Sequence, residues 1–231
     1  MKREIRASWI TWLMVLFLLP VGVAYAQEQE EEERTIDRSH DRLIKVHPLQ
    51  VGEVYLSYEK LRTARVSNEI GISYVYQAYF KDDWPFGLDE VDVNGVHIRM
   101  SQRYYTSKKK RGTPFGFFYG PMFGYRLMIF EKNALGQNDL APSDPNYRYV
   151  GRLYQNSLEL AYQIGGQFKL VNHLTMEISG GLGGRVKYAR SVGAEELLTD
   201  NIIGHAVVAE RNSAIFITPL PQLNVSLGYS F

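Results

Sequence analysis

The sequence predicts an all-β chain that folds as an eight-stranded antiparallel up-and-down transmembrane β-barrel. Three observations lead to this fold class: a period-two alternation of apolar and polar residues, an even number of alternating stretches, and connections that are alternately short and long. After the first 26 residues, no segment is long and apolar enough for a transmembrane helix.

The N-terminal residues have the three parts of a secretory signal peptide. A basic stretch at 2–6 precedes a largely apolar range at 9–23, and Ala24 and Ala26 provide the small residues of a cleavage site. The apolar range is shorter than the roughly 20 residues that a spanning helix needs, which favours cleavage over retention as a membrane anchor. We therefore expect residues 1–26 to be removed.

Composition excludes several classes of function. Removal of residues 1–26 takes away three basic residues and one acidic residue, which leaves 23 basic and 24 acidic residues. A chain with this balance has no global positive field, so we expect no nucleic-acid partner. The absence of cysteine excludes disulfides, thiolate chemistry and lipoprotein acylation. About 205 mature residues suffice for one domain.

The range 27–42 is charged and poor in apolar residues, with four consecutive glutamates at 30–33. Such a composition buries too little apolar surface to fold. We expect an acidic, disordered periplasmic tail, with acid-mediated binding of a partner as the alternative. The barrel domain is then predicted to span 43–231.

Alternation is clearest in the last predicted strand, 221–231, where every second residue from Leu223 to Phe231 is apolar. The same pattern predicts strands at 53–61, 66–80, 93–105, 115–130, 153–170 and 174–188. Their apolar faces, which include Ala78 and Phe115, are expected to face lipid. Their opposite faces are small, polar or charged, as expected for a filled barrel interior.

The direction of each strand gives an independent check on their number. If Phe231 lies at the periplasmic end, the seven predicted strands alternate in direction back to 53–61. A chain that enters from the periplasm then needs one more ascending strand, and the candidate is 43–49. The outer connections become 50–52, 81–92, 131–149 and 190–219, so all the long ones fall on one side, as in membrane barrels.

Four features of the sequence occur together: Ile44-Lys45-Val46-His47-Pro48-Leu49, Leu56-Ser57-Tyr58-Glu59-Lys60, the aromatic, glycine-rich middle strands, and Leu227-Gly228-Tyr229-Ser230-Phe231. In these features the chain resembles a family of uncharacterised small outer-membrane β-barrel proteins of Gram-negative bacteria. The resemblance covers 43–231 and implies a barrel in the cell outer membrane, without catalytic residues. It also implies that the barrel-assembly machinery reads the aromatic end of the chain, Tyr229 and Phe231.

An eight-stranded barrel has an interior about wide enough to be filled by side chains. Alternation places nine charged residues, four acidic and five basic, on the inward faces: Glu59, Glu69, Arg99, Arg103, Arg126, Glu159, Glu177, Arg185 and Lys187. Because buried charges must be paired, we expect a salt-bridge network that plugs the lumen. A proton or ion path is the alternative.

The sequence offers little for catalysis or metal binding. The histidines are scattered, and none forms a two-histidine ligand pair. The glycine-rich run 180–184 lacks the helix and the lysine of a phosphate-binding loop. We expect no catalytic residue, no metal and no cofactor, and the chain is not expected to be an enzyme.

These observations predict a monomeric barrel, with both chain ends in the periplasm, that has a structural or surface-interaction role. We expect outer-membrane lipid and the barrel-assembly machinery as partners, and a surface ligand or protein at the loops 81–92, 131–149 and 190–219. The basic turn 107–113 would be solvated, or would contact anionic headgroups or peptidoglycan. The alternatives are a small-solute channel and a rim hydrolase that uses His205.

Overall fold

The computed structural model describes residues 36–81, 88–107, 112–131, 152–192, 206–210 and 212–231. The strands are β1 Arg42–Val46, β2 Glu53–Leu61, β3 Val66–Lys81, β4 Leu88–Tyr105, β5 Gly116–Phe130, β6 Arg152–Val171, β7 Leu174–Val192, β8 Ala206–Glu210, β9 Ser213–Pro219 and β10 Gln222–Ser230. They form a closed, eight-strand, up-and-down antiparallel barrel, which confirms the predicted all-β barrel architecture. None of the described residues forms a helix that is long and apolar enough to cross a membrane.

The barrel closes because β10 pairs antiparallel with both β1 and β7. The eighth position in the wall is shared by β9 and β10, which pair with successive parts of β7. Leu220 joins the two strands and exchanges both of its backbone hydrogen bonds with Gly183. The wall at this position is therefore one interrupted strand.

The prediction that 190–219 is a long loop is wrong. β7 continues to Val192, and β8 and β9 form a hairpin within the predicted loop. The reason is that β7 has 19 residues, about twice the length of β10, and its remaining backbone groups need hydrogen-bond partners. The predicted loop 81–92 is also shorter, since β4 already begins at Leu88.

The two ends of the barrel differ in their connections. We call the end that carries the turns 62–65 and 172–173 the terminal end, and the opposite end the loop end. Asn172 has a φ of 32° in the turn between β6 and β7, the left-handed conformation that tight hairpin turns require. The predicted outer connection 50–52 lies in the turn between β1 and β2.

Part of the predicted disordered tail, 27–42, is ordered at the terminal end. The Asp37 N–H donates to the Gly112 carbonyl at 2.9 Å, and the Leu61 N–H donates to the Asp41 carbonyl at 2.8 Å. The tail prediction therefore extends too far, because 36–42 are held by the barrel. The predicted signal peptide and the range 27–35 lie outside the described residues.

The wall has a discontinuity because the β1–β2 hairpin is shorter than its neighbours. β1 ends at Val46 and β2 begins at Glu53, whereas β3 and β9–β10 continue toward the loop end. β8 pairs with the other edge of β9 from Ser213 to Phe216. We call the interval between β3 and the edge formed by β8, β9 and β10, beyond the β1–β2 hairpin, the seam. Below the seam the wall is closed by β1 and β2.

Two prolines occupy the β9–β10 edge of the seam. Leu220, which lies between Pro219 and Pro221, directs its backbone groups toward β7, so the groups of both prolines point toward the seam. Proline has no N–H, which makes such an edge a poor template for pairing with another strand.

Most outward faces are apolar and most inward faces are polar, as predicted. In β10, for example, Leu223 and Leu227 are exposed and Ser226 and Ser230 are buried. A bulge between Val75 and Gln77 shifts the alternation in β3. Ala78 therefore packs against the interior instead of facing outward. Phe115 is also buried, at the terminal end.

The interior is apolar near the loop end. A cluster of buried side chains there comes from β3, β4, β5, β6, β7 and β9: Val75, Val93, Met128, Phe130, Leu153, Ala189, Ala214 and Phe216. The charged residues lie between this cluster and the terminal end.

Candidate functional site

Lys45 is the centre of the first group of buried charges, which lies toward the terminal end. Its Nζ is 2.7 Å from Glu177 Oε2 and 3.5 Å from Glu69 Oε2, and it also donates to Glu59. These side chains come from β1, β2, β3 and β7, so one ammonium group connects strands around much of the barrel.

Arg103, on β4, is the second cation of this group. Its Nη1 and Nη2 donate to the two oxygens of Glu177 at 2.7 and 3.0 Å, and it also pairs with Glu59 and Glu69. Its guanidinium lies 4.4 Å from the ring centroid of Phe118. Bidentate contacts of this kind are the strongest form of charge-assisted hydrogen bond.

We call Lys45, Glu59, Glu69, Arg103 and Glu177 the terminal-end cluster. Three carboxylates face two cations, and every one of the five side chains is at most 4% exposed. Neighbouring hydroxyl groups supply further donors to Glu59 and Glu177: Ser67, Tyr105 and Ser179. The cluster therefore forms a dry, hydrogen-bonded plug across the barrel.

The second group of buried charges lies toward the loop end and includes Glu53. Glu53 accepts from Arg99 Nη2 at 3.1 Å, pairs with Arg126 Nη2 at 3.4 Å, and lies 3.2 Å from His97 Nδ1. The Ser73 hydroxyl donates to it at 2.7 Å. This carboxylate thus connects β2, β3, β4 and β5.

Glu159, on β6, is the second acid of this group. Arg185 Nε donates to Glu159 Oε1 at 2.8 Å, and Arg185 Nη2 lies 2.8 Å from the same oxygen. His97 Nε2 lies 3.4 Å from Glu159 Oε2. Lys187 lies in the next inward row, where Ser157 separates it from Arg126. We call these residues the loop-end cluster: Glu53, His97, Arg99, Arg126, Glu159, Arg185 and Lys187.

A polar layer separates the two clusters. The ring of Tyr55 lies 4.0 Å from the ring of His47 and 4.9 Å from the Arg99 guanidinium, measured between centres. His47 bonds Ser57 and Asn224 at 2.8 and 2.9 Å. A cavity of about 30 Å³ lies in this layer, which is room for about one water molecule.

The three carboxylates of the terminal-end cluster are close enough to resemble a metal site. Oxygens of Glu59, Glu69 and Glu177 lie within 4.8 Å of one another. However, Lys45 and Arg103 already occupy these oxygens, so a protein ammonium group stands where a metal cation would bind. The arrangement stabilises a closed interior, and the expected lack of a metal or cofactor stays a prediction.

All nine charged residues predicted to face inward lie in the interior, but in two groups. Glu59, Glu69, Arg103 and Glu177 belong to the terminal-end cluster, and Arg99, Arg126, Glu159, Arg185 and Lys187 to the loop-end cluster. Among the described residues, Lys187 has no ion-pair partner. His205 and most residues of the predicted outer loops lie outside the described residues.

Sequence reasoning missed four members of these groups and of the layer between them: Lys45, His47, Glu53 and His97. A signal was present for each of them. Glu53 has the same parity as Glu59 on β2, and His97 has the same parity as Arg99 on β4. Lys45 and His47 alternate with the outward Ile44 and Val46.

A histidine outside the wall connects the ordered segment 36–41 to the barrel. His40 Nδ1 lies 3.0 Å from Ser230 Oγ, and Lys169 Nζ lies 2.9 Å from His40 Nε2. Loss of water around the ring, and then the charge of Lys169, lower the pKa of His40. The neutral imidazole, which can accept from the lysine, is therefore the favoured form.

No family model, no curated protein and no solved structure matches this chain. The resemblance to small outer-membrane barrels therefore stays a prediction.

Proposed function

We propose that this chain is an outer-membrane β-barrel protein of a Gram-negative cell, closed by its own charged side chains, with a structural or surface-interaction role. The observation that carries the proposal is the reversed distribution of polarity. Lys45, Glu59 and Glu177 are at most 1% exposed, while Leu160 and Leu182 are 67% and 69% exposed. In water the opposite arrangement is the stable one, with aliphatic side chains buried and charged side chains exposed.

Polar groups on the outer wall also support a bilayer environment. The Tyr125 hydroxyl donates to Asn156 at 2.7 Å, and the Tyr74 hydroxyl donates to Asn94 at 2.5 Å. These tyrosines satisfy amide oxygens that would lack water in lipid. Other outward aromatic rings stack near the terminal end, such as Tyr104 on Tyr119 at 5.7 Å, as expected for an interfacial girdle.

The filled interior favours a scaffold over a channel. The two charge clusters cross the lumen, and the cavity between them has about 30 Å³. Planar-bilayer recordings should therefore show no steady conductance, and a steady open channel would contradict the plug. Partner binding would then belong to the connections that leave the barrel at its loop end after Lys81, Glu131 and Val192.

The membrane location can be tested by placing one charge at two depths of the same strand. Leu160 lies near the middle of β6 and Val171 at its end, and they are 67% and 65% exposed. In a bilayer, Leu160→Arg should destabilise the barrel by about 2–4 kcal/mol, and Val171→Arg by about 0–1 kcal/mol. Urea unfolding of the chain refolded in lipid vesicles measures both values.

Fractionation and gel migration complete the test. The unboiled protein should come from the outer-membrane fraction and migrate differently from the boiled protein. A folded barrel in the soluble periplasmic fraction, with equal and small effects of the two arginines, would contradict the proposed location. The roles of Tyr229 and Phe231 in assembly, the periplasmic chain ends and the monomeric state belong to the same proposal.

A further inference from the structure

The outer wall near the terminal end has two neighbouring rows of side chains with opposite character. Cross-strand pairing aligns an apolar row over β1 to β6: Ile44, Tyr58, Ile70, Met100, Phe123 and Leu160. The next outward row toward the terminal end is polar: Arg42, Lys60, Asn68 and Gln102. The strand register therefore sets a sharp boundary between apolar and polar surface.

A groove of about 720 Å³ crosses this boundary. Ile70, Met100 and Leu160 line its apolar part, and Lys60 and Arg62 line its polar part. With the Asn68 amide oriented to satisfy its neighbours, its oxygen accepts from Arg62 Nε at 3.2 Å, which holds the guanidinium beside the groove. The buried Glu69 also borders the groove, but Lys45 and Arg103 already pair with it.

The polar end of the groove continues into a basic hollow. This hollow has a volume of about 550 Å³ and shares Lys60 and Arg62 with the groove. Arg38 and Arg42 add two further cationic side chains. Asp41 is the acidic side chain among the described residues that line it, and it lies 3.7 Å from Arg42 Nε. The carboxylate of Phe231 borders the hollow as well, so four cationic side chains face two anionic groups. The hollow therefore has an excess of positive charge.

Two of these cations face each other directly. Arg42 and Lys60 are cross-strand partners on β1 and β2, and like charges in this position destabilise a sheet. An anionic group between them would relieve the repulsion. Because the apolar row adjoins these cations, a ligand that carries a hydrocarbon chain next to its anionic group can contact both surfaces.

We propose that this groove binds an anionic glycerophospholipid, with its phosphate at Arg42, Lys60 and Arg62 and an acyl chain along the apolar row. The inference rests on the proposed membrane function and names a lipid partner for it. If the terminal end is periplasmic, the lipid belongs to the periplasmic leaflet. Basic side chains at a membrane surface each contribute to the attraction of anionic headgroups.

The test uses the full chain refolded in phosphatidylcholine vesicles with spin-labelled phosphatidylglycerol or spin-labelled phosphatidylcholine as the probe. Electron paramagnetic resonance gives the preference of the protein for the anionic lipid over the neutral one. Arg42→Gln with Lys60→Gln should reduce this preference by about fivefold for each cation removed. Both side chains face outward and are exposed, so the barrel should fold unchanged.

The matched control removes two outward arginines at the loop end, Arg152→Gln with Arg190→Gln, which changes the net charge equally. The control should keep the preference of the unmodified chain. An equal loss in the control, or no loss in Arg42→Gln with Lys60→Gln, would overturn the lipid site. If the unmodified chain fails to insert into vesicles, the membrane function itself is wrong, and the lipid site falls with it.

Discussion

The terminal-end and loop-end halves of the barrel differ in the balance of their buried charges and in how far those charges are exposed to water. In the terminal-end half the wall is closed, and three carboxylates face two cations that are at most 3% exposed. In the loop-end half the wall is interrupted by the seam, and two carboxylates, Glu53 and Glu159, face four cations. The side chain of Arg185 there is 21% exposed.

The comparison of the two halves indicates that the cluster with less access to water has the closer balance of charges. A dry cluster must match its charges almost one for one, because an unpaired buried ion costs several kcal/mol. The loop-end cluster tolerates an excess of positive charge near the seam, from which β7 is separated by β9 and, closer to the loop end, also by β8. Inward residues of β7 such as Arg185 and Lys187 are only partly buried there. Substitutions in the two halves should therefore have unequal effects.

The largest effect is expected for Lys45→Met. This change leaves three buried carboxylates with Arg103 as their remaining cation, so the barrel should lose about 3–5 kcal/mol of stability. The urea midpoint of the refolded barrel measures the loss. Methionine keeps most of the side-chain volume, so the charge is the main change.

Lys187→Met is the matched control in the loop-end half. Lys187 has no ion-pair partner among the described residues and is partly exposed, so the same substitution should change stability by less than about 1 kcal/mol. Equal losses of stability in Lys45→Met and Lys187→Met would contradict the inferred difference between the two halves.

A smaller effect is expected for Gly71→Ala. A Cβ at position 71 would lie 2.3 Å from the ring of Tyr55, which is buried and packed against His47 and Arg99. The ring has little room to move, so we expect a loss of about 1–3 kcal/mol. The urea midpoint again provides the measurement.

Gly184→Ala, on β7, gives the comparison for this prediction. A Cβ at position 184 would meet no atom within 4 Å. Because alanine is the better residue inside a strand, the change should be neutral or stabilising by about 0.5–1 kcal/mol. A clear loss of stability in Gly184→Ala, or no loss in Gly71→Ala, would contradict the tight packing around Tyr55.

The sequence could predict which charged residues face inward but not how they group. Side-chain direction in a strand follows parity, which is a local property. Arg99 and Arg103 have the same parity and are four residues apart, yet they belong to different clusters. Their partners, Glu53 and Glu177, come from strands whose register depends on the closed barrel.

The same distinction between local and long-range information explains the errors in the fold prediction. The β3 bulge forms where the Gly52 carbonyl accepts from both Tyr76 and Gln77, a contact between β3 and the turn that joins β1 to β2. β9 forms because the part of β7 that β10 leaves unpaired needs a neighbouring strand. Alternation over the five residues of β8 or the seven of β9 is too short to predict a strand by itself. The count of strands from their alternating direction still predicts eight, because β9 and β10 occupy one position in the wall.

The smallest expected effect concerns how the terminal end is sealed, since segment 36–41 covers that end. The pKa of His40 is lowered by burial and by Lys169, so the docked segment favours the neutral ring. Docking should therefore be fully stable above the ordinary histidine pKa of about 6.5 and weaken as the pH falls below it. The loss should level off below the lowered pKa of the docked form.

Amide hydrogen exchange, corrected for its intrinsic pH dependence, can follow this change. The Leu61 N–H, which donates to Asp41, should lose protection by a few-fold between pH 7 and pH 5. His40→Gln stays neutral throughout, so it should make this protection nearly independent of pH in that interval. The pKa of Asp37 is also lowered, by its hydrogen bond from Ser39, so that carboxyl group stays ionised there. A pH dependence that survives unchanged in His40→Gln would contradict the assignment of the effect to His40.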